Sequence, residues 1–145
     1  MFLGEFRHKI DAKGRLIVPS KLRDKLGEEF VATRGLEGCL FLYPKDEWEK
    51  IVTSLQTLPF TKKDARSFSR FFLSGASYVS FDNQGRINLP QHLISYAHIE
   101  KNVVIAGVGD RLEVWNEMSW DDFYNSKFDD MSDIAENLFQ REVDN

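Results

Sequence analysis

The sequence contains the pattern Asp-x-x-Gly-Arg twice, 71 residues apart, and in each copy a proline follows four residues after the arginine. IDAKGRLIVPSKL at residues 10–22 aligns with FDNQGRINLPQHL at residues 81–93. Aspartate, glycine, arginine, proline and leucine coincide, and apolar positions between them remain apolar. A single turn of this kind is common, whereas two copies in matching context predict an internal duplication.

Both copies predict the same order of elements, ββαββα. In each turn the aspartate can bond to the backbone two residues later, and Gly14 or Gly85 can adopt positive φ without a Cβ penalty. Alternating apolar residues then predict a short strand, and the proline suits the first turn of a helix. We expect the first strand of the chain at about Phe6 to Ile10.

Capping patterns predict two further helix starts. Thr61 followed by Asp64 is expected to begin a helix in the segment between the copies, and Gly75 is expected to end it. Ser119 followed by Asp122 is expected to begin the last helix of the second copy. The segment between the copies lacks the glycine, serine or proline content of a flexible linker, so we expect it to be ordered.

The size of one repeat indicates how the two are arranged. A unit of about 45 residues is close to the limit below which a domain rarely folds without disulfides, metals or a partner. Cys39 is the only cysteine, so no internal disulfide can form. We therefore predict an α+β, mostly β fold in which the two repeats interleave their hairpins and share one core as a pseudo-dimer. The predicted segments are a first repeat at 5–47, a helical connector at 48–75, a second repeat at 76–119 and an acidic helical tail at 120–145.

Charge is distributed unevenly along the chain. The formal net charge is −4, yet residues 1–25 carry seven basic and three acidic residues. After Glu117, eight acidic residues accompany only Lys127 and Arg141. This asymmetry predicts a basic working surface and a separate acidic one. The chain lacks an apolar run of the roughly 18 residues that a membrane span needs, and its start does not resemble a signal peptide.

The duplicated turn, RLIVP with its helix, the connector ARSFSRFFLSGA and the second DNQGRINLP together resemble the bacterial MraZ proteins. These are tandem relatives of the AbrB-type swapped-hairpin DNA-binding domains, so the resemblance implies two swapped-hairpin (AbrB-like) repeats around one barrel-like core. The resemblance extends from MFLGEF to the helix at Trp120. It implies a cytoplasmic, nucleoid-associated transcriptional regulator that binds short direct repeats in double-stranded DNA. It also implies repression of its own promoter, upstream of cell-division and cell-wall genes, and assembly into a ring-shaped homo-oligomer.

The first hairpin carries the candidate DNA-binding residues. Basic side chains on such a loop can contact phosphates, and an arginine can read guanine in the major groove. The resemblance favours DNA contact by Arg15, and less directly by Lys13, Lys9 and Arg7. The alternative is a solvated loop in which Arg15 pairs with Asp11 to hold the turn. Because a turn-tip arginine is expected to bury little, Arg15→Ala is predicted to leave the fold intact.

The second hairpin is predicted to differ in role, although its motif is the same. No lysine or arginine other than Arg86 lies between Arg70 and Lys101 in the sequence. Affinity for DNA depends on how many phosphates are neutralised, so one cation makes a weak contact. We expect Asp82 and Arg86 to form a structural pair across Gly85, or a subunit contact.

Two other features have alternative interpretations. Arg66 and Arg70 could reach DNA, but an arginine pair on an aromatic helix more often buries its stems and pairs with neighbouring acids. Phe72 and Phe139 are expected to leave apolar surface exposed on the connector and tail helices, which favours self-association.

Enzymatic and cofactor functions are not predicted. His8, His92 and His98 lack metal-ligand spacing, and GVGDRL at Gly107 lacks the third glycine of a nucleotide-binding loop. We predict no catalytic residue, cofactor, metal, membrane partner or small-molecule substrate. An alternative hypothesis is an antitoxin that neutralises a toxin through its acidic C-terminal segment, against which the ordered second repeat argues.

Overall fold

The computed structural model describes residues 1–143, which form eight strands, six α-helices and two 3-10 turns. Asp144 of the predicted acidic tail lies outside the described residues. The first half contains β1 (Phe2–Lys9), β2 (Arg15–Ile17), α1 (Ser20–Leu26), β3 (Glu29–Arg34), a 3-10 turn (Leu36–Gly38), β4 (Leu40–Pro44), α2 (Lys45–Gln56) and α3 (Lys63–Ser74). The second half contains β5 (Ser77–Ser80), β6 (Arg86–Asn88), α4 (Gln91–Tyr96), β7 (Asn102–Gly109), β8 (Leu112–Asn116), α5 (Glu117–Lys127), a 3-10 turn (Phe128–Asp130) and α6 (Met131–Val143).

The strands of the two repeats interleave, as predicted. Within residues 1–143 they form an antiparallel sheet in the order β1-β7-β8-β4-β3-β5 and a separate two-stranded ribbon of β2 and β6. The first strand of each repeat pairs with the third strand of the other, β1 with β7 and β5 with β3. The last strands, β4 and β8, pair with each other at the centre. The fold is therefore α+β, mostly β, with two tandem swapped-hairpin repeats related by a pseudo-twofold axis.

The two faces of the sheet pack against different layers. Leu40 and Leu42 belong to a core that the sheet forms with the ribbon, α1 and α4. Phe41 and Tyr43, on alternate positions of the same strand, belong to a second core with α2 and α3, against which α5 also packs. Successive side chains of a strand point to opposite faces, so one strand serves both cores. The ribbon and the α2, α3 and α5 layer consequently lie on opposite sides of the sheet.

The helices α3 and α6 end equivalent halves of the molecule but pack differently. Phe72 of α3 is buried and stacks on Trp48 with ring centroids 5.6 Å apart. The expectation that Phe72 is exposed is therefore wrong, because α3 folds back over the sheet and the Thr33 hydroxyl donates to the carbonyl of Phe72 at 2.6 Å. Phe139 of α6 is 66 % exposed, as expected, and α6 packs mainly against the 3-10 turn before it.

Three local expectations are corrected. β1 begins at Phe2 rather than near Phe6, because β7 is long enough to pair with all eight of its residues. Asn116, not Ser119, caps α5, since β8 extends to Asn116 and its side chain accepts from the backbone N–H of Ser119 at 3.2 Å. α3 begins after Lys62, and Thr61 does not cap it, because the chain is still in a turn at that residue. No helix among residues 1–143 is both long and apolar enough to cross a membrane.

Candidate nucleic-acid interface

The first Asp-x-x-Gly-Arg turn is held by the carboxylate of its aspartate. The side chain of Asp11 accepts from the backbone N–H groups of Lys13 and Arg15, each at 2.9 Å, and from Nε of Arg15 at 2.7 Å. Gly14 has φ +82°, a conformation that favours glycine. These hydrogen bonds, above all the one from the backbone of Arg15, lower the pKa of Asp11.

The second turn has the same geometry. Asp82 accepts from the backbone of Gln84 at 2.8 Å, from the backbone of Arg86 at 2.9 Å and from Nε of Arg86 at 2.8 Å. Gly85 has φ +76°. The pKa of Asp82 is lowered for the same reason as that of Asp11. An arginine paired with the aspartate of its own turn is therefore a property of both hairpins.

Pairing of β2 with β6 brings the two arginines onto one surface. Leu16 lies opposite Ile87, and both are fully buried. Arg15 lies opposite Asn88, and Arg86 lies opposite Ile17, so these residues occupy the outward face of the ribbon. Along the strands, Arg15 and Arg86 are two residues apart, about 7 Å. The outward face of the ribbon is thus built by both repeats.

The arginine side chains are more buried than a turn tip suggests. Side-chain exposure is 34 % for Arg15 and 25 % for Arg86. The expectation that Arg15 buries little is wrong, because its Nε–Asp11 pair holds the stem against the turn. Among residues 1–143, no hydrogen bond reaches the terminal guanidinium nitrogens of Arg15, which leaves them available to a ligand.

The other three candidate cations have different surroundings. Lys9 and Lys13 are exposed, and no carboxylate of the described residues lies within 4 Å of either. Arg7 lies on β1, where its guanidinium contacts Asp121 at 2.9 Å and both Glu5 and Glu117 at 3.5 Å. The hydrogen bond with Asp121 is the main cause of a raised pKa for Arg7. The structure therefore places Arg7 in an ion-pair cluster with α5 and away from the turn.

Interleaving gives each turn a helix from the other repeat. A methyl group at Gly14 would lie 2.9 Å from Cδ1 of Ile94, because α4 covers the first turn. A methyl group at Gly85 would collide with the guanidinium of Arg23, because α1 covers the second turn. The Nε of Arg23 is buried, and among the described residues it has no hydrogen-bond partner.

Arg23 is a site residue that the sequence patterns did not predict. Arg86 is isolated from other cations in the sequence, yet in space Arg23 adds a second guanidinium beside its turn. The predicted pseudo-dimer implies this placement of Arg23, because interleaved repeats exchange the helices that follow each hairpin. Position 94, which aligns with position 23 at the same offset of 71, holds an isoleucine.

Arg66 and Arg70 lie on α3, in the helical layer on the other side of the sheet from the ribbon. Nη1 of Arg66 donates to the carbonyl of Phe60 at 2.9 Å. Neither arginine has a carboxylate within 4 Å in the part of the chain that the structure describes, so the expected pairing with acids does not occur. Residues 1–143 also contain no group of three histidine, cysteine or acidic side chains that could hold a metal ion.

Comparison with known proteins gives a consistent family match. The family described as "MraZ protein, putative antitoxin-like" matches residues 1–71 and again residues 72–142. A protein of Natranaerobius thermophilus named Transcriptional regulator MraZ is 50 % identical over 143 residues, which is 99 % of this chain and 100 % of the relative. A protein of Ligilactobacillus salivarius with the same name is 53 % identical over 138 residues, 95 % of this chain and 96 % of the relative.

Proposed function

Because the chain belongs to the MraZ family, we propose that it is a sequence-specific DNA-binding transcriptional regulator and not an enzyme. The observation that carries this proposal is the outward face of the ribbon, where Arg15 and Arg86 are fixed by their aspartates. Relatives of nearly the same length, about half identical to this chain, carry the name of a transcriptional regulator.

The geometry suits Arg15 for base recognition. An aspartate at Nε fixes the plane of the guanidinium and leaves the terminal nitrogens to donate. A guanidinium held in this way can donate in a bidentate manner to a guanine edge, which is the commonest specific contact in the major groove. Fixing the side chain before binding reduces the entropy lost on complex formation.

The lysines and the remaining arginines have supporting roles in this proposal. Lys13 and Lys9 contact phosphates beside the first turn, where no acid of the described residues opposes them. Arg7 contributes less, since the carboxylates of α5 neutralise it. Asp11, Gly14, Asp82 and Gly85 hold the turns, and Arg86 maintains the second turn beside Arg23.

The finer features of the proposal concern the DNA target. We propose that the protein acts in the cytoplasm at the nucleoid and represses its own promoter and the adjoining cell-division and cell-wall genes. A single ribbon is a small contact on an acidic protein, so short direct repeats bound by a ring of subunits would supply the affinity. Linking binding sites in this way can raise avidity by about 10² to 10⁴.

The test is a binding titration with the gene's own upstream DNA across a range of salt concentrations. Affinity should exceed that for scrambled DNA and should fall steeply with salt, because counterion release dominates phosphate contacts. Lys13→Ala should reduce the slope of log affinity against log salt by about 0.9 for each phosphate that is no longer neutralised. Lys50→Ala is the matched control, since Lys50 is exposed on α2, in the layer away from the ribbon. Equal binding to scrambled DNA would refute the proposal.

The antitoxin hypothesis has one supporting observation, the acidic helix α6 with exposed Leu138 and Phe139. The family description also contains the word antitoxin-like. An antitoxin that acts only through α6 would not need a second repeat that provides half of the sheet. A gel shift separates the two, because the regulator must bind its upstream DNA without any partner protein.

A further inference from the structure

The pseudo-twofold axis makes α3 and α6 equivalent, but only α3 packs its apolar side chains against the rest of the molecule. Each follows the helix that comes after the last strand of its repeat, and the family match ends within each of them. α3 buries its aromatic face against Trp48 and the sheet. α6 leaves Leu138 63 % exposed and Phe139 66 % exposed. Two large apolar side chains at neighbouring positions of a helix are seldom both left uncovered in a stable assembly.

The same molecule contains an apolar groove of matching character between α2 and α3. Its volume is about 240 Å³, and its apolar lining includes Leu55, Leu58, Phe60 and Leu73. Phe60 is 80 % exposed, which makes it the most exposed phenylalanine among residues 1–140. Pockets for drug-sized ligands are larger, roughly 300 to 1,000 Å³. The groove is therefore better matched to side chains of a helix than to a small molecule.

The surface of α6 is acidic and the groove between α2 and α3 is flanked by basic residues, so the two surfaces are complementary in charge. Between Lys127 and Arg141 the chain contains Asp129, Asp130, Asp133 and Glu136 and no basic residue. The segment 62–70 at the groove carries four basic residues and one acid, Asp64. Arg66 lines the groove, and Arg70 follows one helical turn later on α3. Their lack of carboxylate partners within the described chain leaves positive charge beside the groove.

We propose that Leu138 and Phe139 of one copy insert into the α2–α3 groove of a second copy, with the acids of α6 against the arginines of α3. This inference rests on the proposed self-association and assigns its contact surfaces. The contact joins two different surfaces, so every copy offers one of each, and the assembly grows head to tail until it closes. The groove lies in the layer opposite the ribbon, so this contact leaves the ribbon of every copy accessible to DNA.

The test uses two double variants and measures mass by light scattering at micromolar concentration. Leu138→Ser with Phe139→Ser removes the inserting side chains, and Phe60→Ser with Leu73→Ser removes groove lining. Wild-type protein should be oligomeric, and each double variant alone should be monomeric. An equimolar mixture should give a dimer and nothing larger, because one intact α6 meets one intact groove. An interface between identical surfaces would not be restored by mixing.

Controls separate assembly from folding and from DNA binding. Tyr78→Ser alters a residue as exposed as Phe139 but located on β5, and it should retain the wild-type mass. Arg70→Glu should weaken assembly, and adding Glu136→Arg should restore it. A monomeric wild type, an unchanged mass for the α6 variant, or no dimer on mixing would overturn the inference. Binding of the monomeric variants to one DNA half-site tests the proposed function independently. If neither these variants nor the wild type bind DNA, the proposed function is refuted, while the dimer formed on mixing still supports the interface.

Discussion

The two hairpin turns have the same internal geometry and different covers. In both, an aspartate accepts the same set of hydrogen bonds, and glycine follows with positive φ. The first turn is covered by the apolar side chain of Ile94, and the second by the guanidinium of Arg23. The motif alone thus determines the shape of each turn, while the other repeat determines its electrostatic surroundings.

The comparison shows that charge has to be assigned in space and not along the chain. Counting residues by repeat gives the first hairpin nearly all the cations and the second only Arg86. Interleaving moves α1, and Arg23 with it, to the second turn, and replaces it at the first turn with the uncharged part of α4. The two turns therefore differ less in total charge than the sequence suggests. They differ mainly in which basic side chains remain exposed.

The largest effect is expected where the repeats meet, at the buried pair Leu16 and Ile87. Leu16→Ala and Ile87→Ala should each lower the free energy of unfolding by about 2 to 5 kcal/mol, because each leaves a cavity in a shared core. The free energy lost by the double variant should differ from the sum of the two single losses by a coupling of about 0.5 to 3 kcal/mol, since the side chains are in contact. Urea unfolding gives all three values. Strict additivity would indicate that the repeats do not share this core.

The turn glycines should distinguish the two covers. Gly14→Ala and Gly85→Ala both place a side chain at positive φ, which costs about 1 to 3 kcal/mol. The loss should be greater at Gly14, where the new methyl group also lies 3.2 Å from the carbonyl oxygen of Leu89. At Gly85 the obstructing atoms are the end of the flexible Arg23 side chain, which can move. Urea unfolding of the two variants measures the difference, and a greater loss at Gly85 would contradict it.

Substitution of the two arginines should separate stability from DNA affinity. Arg15→Ala and Arg86→Ala each remove one side-chain hydrogen bond to an exposed turn aspartate, so the two variants should lower the melting temperature by similar, small amounts. DNA affinity should fall much further for Arg15→Ala, because Lys9 and Lys13 lie on its side of the ribbon. Thermal melting and titration with the upstream duplex measure the two quantities. Equal losses of affinity would mean that both turns contact DNA.

The smallest effect is expected from acid. The pKa values of Asp11 and Asp82 are lowered below the ordinary value of 3.8, so their stabilising contribution is complete above that pH. It is lost as pH falls through the lower pKa of the folded state. Asp11→Asn and Asp82→Asn should each reduce the acid dependence of the melting temperature by the same amount. A clear inequality between the two variants would show that the turns are not energetically equivalent.

Much of the fold follows from the sequence because it depends on patterns that repeat. The duplicated turn, the alternation in RLIVP and the size of one repeat suffice to predict interleaved hairpins around a shared core. Helix starts are less predictable, since Asn116 and Ser119 are both good caps and the length of β8 decides between them. The sequence also does not predict that Phe72 is buried while Phe139 is exposed. Both residues lie on amphipathic helices, and only the packing of those helices distinguishes them.

The candidate site was predictable in its residue types and less so in its arrangement. The first turn predicts Arg15, Lys13 and Lys9 as candidates for DNA contact, whereas the neutralisation of Arg7 depends on α5, more than 100 residues away in the chain. The position of Arg23 beside Gly85 depends on the interleaving of the repeats, which places α1 over the second turn. Long-range contacts of this kind have no local sequence signal.

Pairing of β2 with β6 has a consequence for how the protein is made. Ribosomes synthesise about 5 to 20 residues per second, so the 71 residues between Leu16 and Ile87 take about 4 to 14 seconds. During that interval the nascent first half cannot pair β2, and its apolar face has no partner within the same chain. A neighbouring nascent chain on the same messenger offers an identical β2, so crowded translation favours intermolecular pairing at this strand. Less frequent initiation, which spaces the ribosomes on the messenger, should therefore increase the yield of correctly folded protein.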